Sequence, residues 1–211
     1  MYWVGGIIVV VLFAWFAVSA YINNVEQAPY VLLAQKDGYE IRSYAPHLVI
    51  EVTTSGSFND ALNEGFRILA SYIFGNNTAQ TSVAMTAPVV AQKSEGEKVA
   101  MTAPVIAAKA GDTYRVQFIV PASYSRETLP LPNDPRIRVA EQPEERVAAL
   151  RFGWYYNEAR IERKTNELQA LLDRDRIARA GEARFAGYND PWAFPLLRKH
   201  EILVPLAETS E

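Results

Sequence analysis

Tyr39-Glu40-Ile41-Arg42-Ser43-Tyr44-Ala45-Pro46-His47-Leu48-Val49-Ile50-Glu51-Val52 holds two extended runs on either side of a turn. Tyr39–Arg42 and Leu48–Val52 have strand composition and alternation, and Ala45-Pro46 separates them because proline cannot donate to a sheet ladder. The period then changes. Phe58, Ala61, Leu62, Phe66, Leu69 and Ile73 recur at three- and four-residue intervals among Asn59, Asp60, Asn63, Glu64 and Arg67, which predicts an amphipathic helix ended near Gly75.

Working outward, the heptapeptide Val83-Ala84-Met85-Thr86-Ala87-Pro88-Val89 returns unchanged as Val99-Ala100-Met101-Thr102-Ala103-Pro104-Val105. Two strands joined by Lys93–Glu97 would form a hairpin, bent at each proline, with Tyr114–Val120 as a third strand. A fainter repeat spans the chain. Ile41-Arg42, Pro46 and Gly56 have counterparts in Ile137-Arg138, Pro143 and Gly153, and a second helix with Ile161, Leu168, Leu171 and Leu172 on its stripe follows from about Asn157 to Asp173. Strands, helix and strands, twice over, predict an α+β fold: a pseudo-symmetric antiparallel β-barrel of two similar halves with two flanking helices.

The chain has 211 residues, 49% of them hydrophobic and 21% charged, which suits one globular domain and excludes a disordered reading. A net charge of −3 leaves no cationic surplus for a phosphate backbone, so nucleic acid is not an expected partner. Absence of cysteine removes disulfides, thiolate metal sites and cysteine nucleophiles, and only His47 and His200 can supply imidazole. Val4 to Ile22 carries no charge and as a helix would span ~28 Å, close to a bilayer core. Residues 1–22 are therefore expected to form a single-pass transmembrane anchor, with a cleaved signal peptide as the alternative. A linker over 23–29, a domain over 30–206 and a tail over 207–211 follow, and the domain is expected outside the cytoplasm.

Tyr39-Glu40-Ile41-Arg42-Ser43-Tyr44, Met85-Thr86-Ala87-Pro88-Val89 and Ala186-Gly187-Tyr188-Asn189-Asp190-Pro191-Trp192, in that order and with the helices between them, resemble the SOUL haem-binding family over about Tyr30 to Leu206. The resemblance implies a two-halved α+β barrel of the kind found in small-molecule effector domains, and non-covalent binding of haem or another tetrapyrrole without catalysis. A membrane-bound carrier, buffer or sensor is the expected role. An enzyme acting on a tetrapyrrole or its linear derivative, or an effector-binding domain for another small hydrophobic ligand, are the alternatives.

Haem needs an apolar slot, cations for its propionates and optionally an axial donor. The resemblance places Leu62, Phe66, Arg67 and Ala70 of the first helix opposite Phe194, Arg198, Lys199 and His200, with Arg67, Arg198 and Lys199 as a propionate clamp. Leu62, Phe66 and Leu69 at helical spacing equally suit an ordinary core, and Arg198-Lys199 a solvated loop. Ser43 stands where some family members carry a histidine. Met85 and Met101 read as gap fillers rather than thioether ligands, His47 as an exposed turn residue, and His200 as the better-placed imidazole, with neither histidine expected to be essential. No Ser/His/Asp set, carboxylate pair or Gly-rich phosphate loop emerges.

Overall fold

In a computed structural model, residues 2–22, 28–78, 102–110, 113–189 and 193–207 are described. The chain order is α1 (Tyr2–Ile22), β1 (Tyr30–Gln35), β2 (Glu40–Tyr44), β3 (His47–Ser55), α2 (Phe58–Ile73), β4 (Asn77–Thr78), β5 (Thr102–Ala110), β6 (Thr113–Ile119), β7 (Leu131–Pro132), β8 (Arg138–Gln142), β9 (Glu145–Phe152), α3 (Glu158–Arg174), β10 (Arg184–Gly187), a 3₁₀ turn (Pro195–Leu197) and β11 (His200–Pro205).

Nine strands form one antiparallel sheet in the order β1-β2-β9-β11-β10-β5-β6-β3-β8. Leaving aside β1, which has no counterpart, exchanging β2, β3, β5 and β6 for β8, β9, β10 and β11 reverses the order of the other eight strands, so the two halves expected from the faint repeat are present. The sheet is a curled half-barrel rather than a closed barrel, because β1 and β8 remain as its two edges.

Local chemistry sets the helices. The Ser57 hydroxyl oxygen accepts the Asp60 N–H and caps α2, and Asn157 Oδ1 accepts the Arg160 N–H at 2.9 Å and caps α3. α2 buries Ala61, Leu62, Ile68, Leu69 and Tyr72 against β3 and β6. Gly65 permits the close approach, since a Cβ there would stand 2.6 Å from Val116 Cγ2. α3 packs Leu168 and Leu172 against β9 and β11. The main core lies between both helices and one face of the sheet. A second cluster, including Tyr44, Val49, Val147, Ala186 and Leu203, occupies the opposite face.

One expectation changes: β1 was not foreseen as a strand, and it exposes Tyr30, Val31, Leu32 and Leu33 along the β1 edge. Along Val105–Ala108, β5 has β6 on one side and β10 on the other, while the expected hairpin between the two heptapeptides falls largely on residues outside those described. The first heptapeptide, with Met85, and also Met101 and Asp190-Pro191-Trp192, lie outside the described residues.

α1 is a continuous 21-residue helix without acidic or basic residues in its terminal turns. Counted over described residues, no helix is long and apolar enough to cross a membrane, and the structure therefore does not establish the expected anchor. Toward its C-terminal end α1 packs on the loop before β11. Ser19 Oγ accepts the Phe194 N–H at 3.0 Å, and the rings of Trp15 and Phe16 meet Phe194 edge-on.

Candidate functional site

A cavity of about 380 Å³ opens where the β2–β3 turn faces the loop after β6. Its walls are mostly apolar: Ala28 and Pro29 ahead of β1, Pro46 and Leu48 from the turn, and Val120 to Ala122 beyond β6. Polar groups are few. His47, Tyr124, Ser125, Arg126 and Glu141 line it, and Arg126 makes no ion pair among the described residues. An apolar concavity with a small number of placed polar groups is the usual form of a small-molecule site. His47 Nδ1 lies 2.9 Å from the Ala45 carbonyl oxygen. That oxygen can only accept, so Nδ1 carries a proton, and in the neutral ring the lone pair is on Nε2.

His200 has a different setting. It is 2% exposed, and its ring sits among Tyr156, Phe152 and Phe185 at centroid separations of 4.9, 5.5 and 5.6 Å. Its Nε2 lies 3.0 Å from the Trp154 carbonyl oxygen and donates to it, while the buried Nδ1 has no hydrogen-bond partner among the described residues. Burial lowers its pKa to about 4, so the ring is neutral near pH 7. Trp154 holds a φ of 71°, a strained conformation for a non-glycine residue, and its outward ring meets Tyr155 edge-on.

On the other face of the same strand Glu201 is fully buried. Arg42 Nη1 and Nη2 donate to its two carboxylate oxygens at 2.8 and 3.0 Å, Tyr188 donates at 2.5 Å, and Lys199 Nζ stands 3.4 Å away. Burial favours the neutral acid, yet the hydrogen bonds and charge of Arg42 outweigh it and hold Glu201 ionised, its pKa lowered. Burial combined with that carboxylate raises the pKa of Tyr188. A second, 300 Å³ cleft between α2 and α3, floored by Phe58, Tyr114 and Phe185, has a rim of mixed charge in Lys109, Arg184, Glu158 and Glu162.

A family model described as SOUL heme-binding protein matches residues 25–205. The chain belongs to the SOUL family. A curated relative, "Heme-binding protein 1" of Xenopus laevis, is 26% identical over 171 residues, covering 80% of this chain and 84% of that protein. Among solved structures, the C-terminal domain of EcmrR matches with a TM-score of 0.56 and 11% identity, over 84% of this chain and all of that one. A structure titled as a hydrolase from Listeria innocua matches with a TM-score of 0.51 and 11% identity, over 83% of this chain and 94% of that one. At such identities both show the fold alone.

The residues that the SOUL resemblance put at a pocket are distributed more widely than expected. Leu62 and Ala70 are core residues, Phe66 packs on Phe118, and Arg67 is exposed on α2. Phe194 is engaged by α1. Arg198 stacks over Tyr155 and donates to the Ala193 carbonyl, whereas Lys199 lies over Tyr188 beside Glu201. Successive residues of extended chain point to opposite faces, so Arg198 and Lys199 do not converge as one clamp. None of the eight lines either cavity described above. His47, which the sequence offered as one of two imidazoles but placed on an exposed turn, is half-buried on the cavity, and Arg126 is an addition that nothing in the sequence singled out.

Proposed function

We propose that this SOUL chain binds haem or a related tetrapyrrole non-covalently in the cavity beside His47, as a carrier, buffer or sensor rather than an enzyme. The observation that carries this reading is an apolar, 380 Å³ slot lined by an imidazole and a guanidinium that, among the described residues, leave one ring nitrogen without a partner and the cation without an ion pair. These are the parts a tetrapyrrole calls for: walls for the macrocycle, a donor for iron and a cation for propionates. Without cysteine, no thioether attachment can form. Both histidines spend a ring N–H on a backbone carbonyl, and neither pairs with a carboxylate as an acid–base couple would. Titrating haemin and iron-free protoporphyrin into detergent-solubilised full-length protein should give saturable Soret shifts and return both pigments chemically unchanged. Absence of saturation with both would refute the binding, and turnover of either would refute the non-enzymatic role.

We further propose that α1 tethers the domain to a membrane. Support comes from the sequence, in which residues 4–22 carry no charge and Trp3 and Tyr21 stand near the two ends, where aromatic rings favour a membrane interface. The full chain should remain with the membrane pellet after alkaline carbonate, and deletion of residues 1–24 should release it. A mature N-terminus at Tyr21 would instead identify a cleaved signal peptide.

A further inference from the structure

Iron in a tetrapyrrole takes its protein ligand from His, Met, Cys or Tyr. Cysteine is absent, and all three methionines lie outside the described residues. The choice among nitrogen donors is between two rings that the fold treats differently. His200 donates Nε2–H to Trp154, and three aromatic rings close around the remainder, leaving a metal no approach without displacing one of them. His47 lines the cavity and is half-buried, with Nδ1–H turned back onto the Ala45 carbonyl of its own turn. Metal-binding imidazoles commonly donate their other N–H to a backbone carbonyl or a carboxylate, which fixes tautomer and ring orientation and raises the basicity of the ligating nitrogen. Pro46 restrains the backbone just before the ring. Nε2 has no partner among the described residues, and Ser125 and Arg126 stand on the same cavity to meet carboxylates.

The geometry points to His47 Nε2 as the axial ligand of a tetrapyrrole iron, a statement that rests on the tetrapyrrole reading of this cavity. The family resemblance offered a different position, held here by Ser43. Ser43 Oγ is instead hydrogen-bonded to Glu144 at 3.1 Å.

The test uses full-length protein in detergent and two pigments that differ by the metal. In His47→Ala, protoporphyrin should bind within about twofold of the parent, whereas haemin affinity should fall about tenfold or more with altered Soret and EPR signals. Added imidazole should restore the parent haemin spectrum in His47→Ala. His200→Phe, which keeps the aromatic packing, should retain that spectrum without addition. The inference is overturned if His47→Ala binds haemin with parent affinity and spectrum, or if His200→Phe alone loses them. If the parent binds neither pigment, the tetrapyrrole reading itself has failed.

Discussion

The surroundings of His200 and His47 differ in more than burial. Around His200, β9, β10, β11 and the 154–156 loop fill the space with aromatic rings, and the next residue, Glu201, is closed off by Arg42 and Tyr188. Around His47 a turn and a loop leave a cavity, and one ring nitrogen is fixed while the other is left open. Polar groups whose bonding capacity is met by their own fold hold the fold together; those left with spare capacity at a cavity are the ones available to a ligand. Changes in the filled region should therefore cost stability and spare ligand affinity, and changes at the cavity should do the reverse.

The largest effect is expected at Arg42. Arg42→Met leaves Glu201 buried without its bidentate partner, and removing one member of a buried ion pair costs about 3–5 kcal/mol. Urea denaturation measures it, and a loss below about 1 kcal/mol would show that Lys199 and Tyr188 suffice. The next effect is a pH dependence. His200 titrates near 4 in the folded chain against 6.5 when unfolded, so between these values the unfolded state binds the extra proton. Stability should fall by up to about 3 kcal/mol as pH drops from 6.5 to 4, with no further loss from this group below that. His200→Phe should flatten this step, and an unchanged slope would assign it elsewhere.

Gly65→Ala probes the packing of α2. Its methyl would press on fully buried Val116, so a loss of about 1–3 kcal/mol is expected by thermal or chemical unfolding, and none if α2 can shift outward. Arg126→Ala inverts the pattern. Tetrapyrrole affinity should weaken about tenfold, about 1.4 kcal/mol, while unfolding moves by less than about 0.5 kcal/mol. Arg67→Ala combined with Lys199→Ala, read against the same titration, should change affinity less than Arg126→Ala does, and the opposite ranking would return the propionate contacts to α2 and the loop before β11.

Much of the fold was legible because it rests on local periodicity. α2 and α3 declare themselves through apolar spacing, and the Ile41/Ile137 and Pro46/Pro143 pairs anticipate the reversal symmetry of the sheet. What escaped depends on distant partners. Val31-Leu32-Leu33 in β1 neither alternates nor becomes buried, so it lacks the signature of a half-buried strand. Nor does any local pattern show that β5 takes one of its neighbours, β10, from the other half. At the site, Arg198 and Lys199 looked like a single basic pair until extended geometry turned them to opposite faces. The value of His47 lies in a hydrogen bond to Ala45 two residues away, which no spacing rule encodes.

Ala28, on the cavity wall, follows the last residue of α1 by six positions. At a few ångströms per residue, the wall lies within about 20 Å of the helix end whatever path the chain takes between them. If α1 lies in a bilayer as proposed, its contact with the loop before β11 keeps the cavity no farther than that from the lipid. Its encounters with a lipid-dissolved pigment are then governed by lateral diffusion and by a local effective concentration, rather than by the scarce pigment dissolved in bulk water.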